Sequence, residues 1–338
     1  MNHFSPVEKH FFSLQDIQKQ TTNIPYIVLE SFPQLGLITS LRFLEWASEN
    51  PEGVISLPTG KTPEYFIKWT HHILNNWDKK DLIDLRKNNR LMLDNKPELT
   101  GLRFVQIDEF YPLNPNQHNS FYNYVNKYYI NGFRLNPKNA LLINSDEIPL
   151  ANNKNRRKIF PENEVDITLR FRDAENDKEK EQQDSIFLID QWCAEYENRI
   201  RSLGGIGFFL GGIGPDGHIA FNVRGSDHNS TTRLTSTNFE TQAAAATDLG
   251  GIEISRNRLV ITIGLGTITY NPDATGIIIA AGEAKSPIIK NSLEKLPDVK
   301  YPATALNKLK HSCFYITRGT AKLLNDTETE YWNSKTWD

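Results

Sequence analysis

The chain has 338 residues, enough for a large core, and carries 38 basic and 41 acidic side chains for a net charge of −3. That balance excludes the basic footprint of a nucleic-acid binder and any whole-molecule field that steers an anion, so affinity for a phosphorylated ligand must come from a local site. No apolar run is long enough to span a bilayer, and Met1–His10 lacks the apolar core of a signal peptide. Cys193 and Cys313 form no metal or redox motif, so a reduced, cytoplasmic setting without disulfides is expected.

In chain order, Tyr26–Leu29 reads as a first strand. Phe32–Asn50 places Leu35, Leu37, Ile38, Leu41, Leu44 and Trp46 at helical spacing before Pro51 and Gly53 stop it. Val54–Leu57 is a short apolar strand running into Pro58-Thr59-Gly60-Lys61-Thr62-Pro63, with a helical pattern beyond through Trp69 and Ile73. Strand, glycine turn and helix start together make a place where backbone N–H groups and the helix dipole receive an anion. Thr59 and Thr62 add hydroxyls there and Lys61 adds a charge; the plain alternative is a strand-to-helix connection. Gly60-Lys61-Thr62 is not a nucleotide-binding P-loop, because the glycine that motif needs earlier in the loop is Ile55 here.

Residues 77–100 are polar and read as a helix pair with a surface loop. Phe104–Ile107 is a third strand ending in Asp108-Glu109-Phe110-Tyr111, whose two acids read either as solvated turn residues or as site carboxylates. Ala140–Ile143 is a further short strand. From Glu147 to about Ser185 the chain is charge-dense and is expected to form a polar surface insertion in a single domain spanning 1–338, with Val165–Phe171 as a strand or hairpin arm. Phe187–Leu203, with Ile189, Trp192, Tyr196 and Ile200, is an amphipathic helix. It feeds Ile206–Leu210, an apolar run bounded by glycines and read as a buried strand.

That run meets Gly211, Gly212, Gly214, Pro215 and Gly217, a loop that must turn sharply and lie close to a neighbour. Asp216 and His218 project from it. At the carboxyl end of a strand in an open α/β sheet, such a pair reads as ligand-facing; otherwise it is a solvated acid beside a histidine packed for structure. Residues 223–257 are polar, with an alanine run at Ala243–Ala246 compatible with a helix, and Gly276–Gly282 is a buried strand followed by Glu283-Ala284-Lys285. Strands alternating with helices predict an α/β fold: an open, mostly parallel sheet with helices on both faces, Rossmann-like and three-layered.

The run Gly211-Gly212-Ile213-Gly214-Pro215-Asp216-Gly217-His218-Ile219-Ala220-Phe221-Asn222 resembles the signature loop of the glucosamine-6-phosphate deaminase family. Its segment Gly214–His218 is shared with the 6-phosphogluconolactonases, which have a related fold. Leu57–Pro63 looks like the loop with which the deaminase family holds the sugar phosphate, Lys61 filling its variable position. Asp108-Glu109-Phe110 looks like its catalytic acid motif, and His118–Tyr124 like its Ser/Tyr-rich helix start. Trp192–Ile200 is similar to its helix before the signature, and Arg258–Ile268 to its next strand and Gly-x-Gly-Thr turn. Pro302–Leu306 and Cys313–Thr317 look like its C-terminal helix start and last strand. Lys285, by itself an ordinary helix-start lysine, falls where the family places a substrate-phosphate lysine.

The resemblance implies interconversion of an amino sugar 6-phosphate, glucosamine 6-phosphate to fructose 6-phosphate plus ammonia, by acid–base groups without metal or cofactor. His218, oriented by Asp216, would open the ring, because imidazole both takes and gives protons near neutral pH. Asp108 would move the proton at C2. Thr59, Gly60, Lys61, Thr62, Gly211, Gly212 and Lys285 would bind substrate. The expected partner is a small-molecule sugar phosphate, with no nucleic acid and no membrane; homo-oligomerisation is left open. Two positions depart from the family: Val223 follows Asn222 where the family has a glutamate, and Thr247 stands where it has a phosphate-binding arginine, for which Arg256 or Arg258 would substitute only along a different chain path. Arg233 matches a position that some relatives use for a regulatory anion. These departures keep open a lactonase-type hydrolase, which needs no C2 base, and a non-catalytic sugar-phosphate sensor.

Overall fold

The computed structural model describes residues 4–15, 20–239, 241–243 and 258–325. The first helix, α1 (Pro6–Ser13), starts on a capping box: the Ser5 hydroxyl accepts from Glu8 N and the Glu8 carboxylate accepts from Ser5 N. β1 (Tyr26–Leu29) leads into α2 (Phe32–Glu49), and β2 (Val54–Ser56) into α3 (Glu64–Asn75). The polar stretch after Trp77 holds one helix, α4 (Lys80–Asn88), rather than a pair. β3 (Arg103–Val105) stops short of its apolar run, and Asp108–Tyr111 forms a strand of its own, β4. Next come α5 (Phe121–Val125), β5 (Ala140–Leu141), α6 (Arg156–Ile159) and α7 (Asp177–Ser202). β6 (Phe208–Gly212), β7 (Arg233–Thr235), β8 (Leu259–Thr262), α8 (Leu265–Ile268), β9 (Thr275–Ala280), α9 (Ser286–Glu294) and β10 (His311–Thr317) follow.

Among the described residues, β1-β10-β9-β6-β2-β3-β5 form one parallel sheet. From β2 the chain winds one way through β3 and β5, and from β6 the other way through β9 and β10. The reversal falls between β2 and β6, and such a switch point at the carboxyl edge is where open α/β sheets bind ligands. Alternate side chains of these strands serve two cores. Phe208, Leu210, Ile277, Ile279 and Tyr315 pack with α1, α2 and α3, while Phe209, Ile278, Phe314 and Ile316 pack with α7 and α9. The expected three layers are thus present, each face of the sheet covered by helices.

A second sheet was not foreseen. β4, β8 and β7 pair antiparallel, with Asp108 opposite Thr262 and Thr262 opposite Arg233. The chain steps from the large sheet to the small one at Gln106, whose fully buried amide replaces the missing ladder bonds. Its Nε2 donates to Asp108 O at 2.8 Å, and its Oε1 accepts from Ile143 N at 2.9 Å.

The charge-dense stretch is more ordered than its composition implies. Val165–Phe171 yields a 3₁₀ turn, Ile167–Arg170, in place of a strand; Asp166 caps it, Leu169 enters the core and Arg170 pairs with Asp190 at 2.6 Å. α7 begins at Asp177, well before Phe187, because Asn176 caps it and Arg172 holds Glu179 at 2.7 Å. Ile148, Leu150, Ile159, Phe160 and Val165 join the same core as α7. Among the described residues no helix is long and apolar enough to cross a membrane.

Candidate active site

The loops that follow β2, β6 and β9 leave adjacent strands at the same sheet edge. Across the switch point the first two touch: a Cβ built on Gly212 would lie 3.4 Å from Thr62 Cγ2. Gly211 and Gly212 belong to β6 rather than to the loop. A Cβ on Gly211 would meet the Phe209 ring at 2.7 Å, so that glycine has a packing reason of its own. Two tyrosines pin the loop after β2, Tyr129 Oη donating to Pro58 O at 2.5 Å and Tyr124 Oη to Gly60 O at 2.9 Å. Thr59 and Thr62 are half-buried, and Gly60 and Lys61 are exposed. Lys285, after β9, is half-buried and donates from Nζ to Ile213 O at 2.7 Å, which ties its loop to the one after β6. Burial lowers its pKa.

In that central loop His218 Nδ1 lies 2.5 Å from Asp216 Oδ1. Burial works to raise the acid, but the hydrogen bond and charge of His218 together with a bond from Asn238 outweigh it and bring Asp216 down to about 2. Beside an ionised carboxylate Nδ1 is the donor, which leaves the lone pair on Nε2. Phe221 stacks on the imidazole, ring centroids 6.0 Å apart at 17°. Gly214 also lies against the ring, where a Cβ would sit 2.0 Å from His218 Cε1. Gly217 turns the chain between acid and base with φ of +87°, a conformation open to glycine without strain.

Asp108 is only 7% exposed, and among the described residues nothing donates to its carboxylate. Burial first, and the neighbouring Glu109 second, push its pKa well above the usual carboxylate range. Glu109 is different. Its carboxylate accepts from Ser120 Oγ (2.7 Å), Tyr122 N (2.8 Å), Phe110 N (2.9 Å) and Phe121 N (3.2 Å), fixing the start of α5. Burial still raises it to about 7 against those four bonds. Of the two adjacent acids, one is spent on structure and the other stands free.

The turn beyond His218 is clamped to β8, the strand beside Asp108. Phe221 N donates to Thr262 Oγ1 at 3.1 Å, and Asn222 Nδ2 to Ile263 O at 2.9 Å. Arg233 reaches the same turn, donating to Asn222 Oδ1 at 3.0 Å. Asp108 and the Asp216–His218 loop are therefore joined through Thr262. Arg258 does not take the place of the missing arginine: it donates to the carbonyls of Pro112 and Asn163, at the end of β8 remote from Thr262. Thr247, Arg256 and most of the alanine run, Ala244–Ala246, lie outside the described residues. Sequence reasoning missed Gln106, the tyrosine hydroxyls, Asn238 and Thr241. Asn238 and Thr241 sit in a polar stretch whose pattern carries no signal for them.

No protein-family model matches the chain. Among curated proteins it is similar to the glucosamine-6-phosphate deaminase of Borreliella afzelii, 26% identical over 289 residues that cover 83% of this chain and 86% of that one. The glucosamine-6-phosphate isomerase of Candida albicans is 37% identical over 118 residues, 35% of this chain and 48% of that one. Among solved structures, a monomeric glucosamine-6-phosphate deaminase superposes with a TM-score of 0.65 at 21% identity, covering 89% of this chain and 100% of that one. The 6-phosphogluconolactonase of Leishmania guyanensis gives a TM-score of 0.56 at 15% identity, covering 88% and 98%. Along most of its length the chain is thus related to curated glucosamine-6-phosphate deaminases, and its fold is one that a solved glucosamine-6-phosphate deaminase and the 6-phosphogluconolactonases share.

Proposed function

We propose that the chain converts an amino sugar 6-phosphate of the glucosamine 6-phosphate class, with water, into the ketose 6-phosphate and ammonia. One observation carries this reading: Asp108, a buried carboxylate without a donor among the described residues, stands on the strand paired with β8, to which the turn beyond His218 is clamped. Hydrolysis alone has no use for it. The loop Thr59–Thr62 and Lys285 hold the phosphate, and the backbone at Gly211 and Gly212 lies along the sugar; binding energy gathered there acts remote from the reacting carbons. His218 Nε2 takes the anomeric hydroxyl proton and returns a proton to the ring oxygen, opening the ring, while Asp216 keeps Nδ1 protonated. Asp108 then carries a proton from C2 to C1 while the C2 amine gives one to the oxygen on C1, leaving an imine at C2 that water hydrolyses to the ketone and ammonia. A carboxyl whose pKa is raised by burial suits that work, since burial strengthens its hold on the proton that it takes from C2 and returns to C1.

The test is ammonia and ketose release from a panel of hexosamine 6-phosphates, with lactone hydrolysis assayed alongside. Asp108→Asn and His218→Gln should each lower turnover by about 10²–10⁴-fold. Near-full turnover by either variant would refute the assignment. One observation favours the hydrolytic alternative: Val223 leaves the Asp216–His218 pair without a second acid. Under that alternative lactone is the better substrate and Asp108→Asn is silent. Tight sugar-phosphate binding with no product of either kind would mark a sensor. Both cysteines are buried and unpaired, which suits a reducing cytoplasm.

A further inference from the structure

Asp216 is gripped at both oxygens. Oδ1 accepts from His218 Nδ1 at 2.5 Å, and Oδ2 accepts from Asn238 Nδ2, also at 2.5 Å. The other end of the same amide is engaged too, because Asn238 Oδ1 accepts from Thr241 N at 3.0 Å. This fixes which way the amide points: turned over, it would set oxygen against carboxylate and NH₂ against N–H. Thr241 Oγ1 also lies 3.2 Å from His218 Nδ1, so the segment 238–241 meets both members of the pair. A carboxylate held at one oxygen can swing about its Cβ–Cγ bond and carry the imidazole with it. Held at both, its plane is set.

We infer that Asn238 is a positioning residue for the Asp216–His218 pair, fixing the carboxylate plane so that the Nδ1–H tautomer persists and Nε2 stays aimed at substrate. The assignment rests on the function proposed above for its catalytic consequence, but not for its structural one. Asn238 has two jobs that separate cleanly by mutation. An aspartate oxygen accepts from a backbone N–H as an asparagine oxygen does, so Asn238→Asp keeps the bond from Thr241 N while replacing the donor that faces Asp216 with an acceptor.

The experiment compares wild type, Asn238→Asp and Asn238→Ala at about pH 9, where an added carboxyl beside Asp216 has least proton to donate. Turnover on glucosamine 6-phosphate should fall at least about tenfold in both variants with KM within about twofold of wild type. In an Asp216→Ala background, Asn238→Ala should cost nothing further. Imidazole ¹⁵N resonances, read without substrate, should show Nδ1–H in the wild type and mixed tautomers in both variants. Full turnover in Asn238→Asp would mean that Asn238 only caps, and an unchanged tautomer in both variants would overturn the inference whatever the rates. Should the wild type release no ammonia, the proposed function falls while the tautomer measurement still decides the role of Asn238.

Discussion

The His218 imidazole packs against both the Phe221 ring and the bare backbone of Gly214. Gly214→Ala should cost on the order of 10²-fold or more in turnover, since a catalytic group moved by about 1 Å loses that much, while the melt stays cooperative; an active, well-folded alanine variant would show the ring free to relocate. Asp108 carries a stability consequence of opposite sign to its catalytic one. Its folded pKa is raised, so the stabilisation it gives is complete below about pH 4, its unfolded value, and is lost as pH rises through the folded value. Asp108→Asn removes that loss. Its melting temperature should exceed that of the wild type at about pH 8, on the order of 5 °C, and the gap should narrow at about pH 5; a variant less stable at both values would count against a buried, unpaired acid. That Asp216 and His218 leave one tight turn was legible in the glycine run around them; that their side chains pair was not, since the same run also reads as a solvated acid beside a packed histidine. The division between Asp108 and Glu109 was not legible either, since it depends on Ser120 and the N–H groups of α5, which composition does not tie to Glu109.

Among the elements, α1 is docked by charge as well as by Val7 and Phe11. Arg42 on α2 lies 3.3 Å from Glu45 and 3.6 Å from Glu8, all three buried, and Tyr315 Oη donates to Glu8 at 2.7 Å. Removing the one cation strands two carboxylates. Arg42→Met should cost about 3–5 kcal/mol at neutral pH, as breaking a buried ion pair does, and less at about pH 5, because burial already raises Glu45 toward protonation. Urea unfolding at both pH values reads this directly; a pH-independent loss would argue against the ion network. Helical spacing announced α2, and it sets Arg42 and Glu45 seven residues after Leu35 and Ile38, on the apolar stripe; the partner that α1 brings to Arg42, Glu8, lies far away in sequence and had no local signal. The smaller sheet was unreadable for a related reason. β4 and β8 are short, far apart in sequence and joined by no hairpin, so no local signal links Asp108 with Thr262.

For the molecule as a whole, a net charge of −3 gives little field beyond the immediate site, and under the proposed function attraction for a phosphate falls to groups such as Lys61 and Lys285. The ratio kcat/KM should therefore fall by less than about tenfold between roughly 0.02 and 0.5 M salt, whereas a steered enzyme loses considerably more. The large, mostly parallel sheet could be read from the order of apolar runs and turns, because parallel strands buried on both faces leave continuous apolar segments; its strand order and the place of its reversal could not.

Where the chain departs from the large sheet at Gln106, the prospective proton carriers are parted between two frames: the carboxylate of Asp108 rides on the small sheet, and the imidazole of His218 on the large one. Under the proposed function they are the jaws of a caliper, and the bond from Phe221 N to Thr262 Oγ1 is a joint between their two frames. Shimming that joint by the width of a methyl group would retune the enzyme toward bulkier or slimmer sugars while every reacting atom kept its identity.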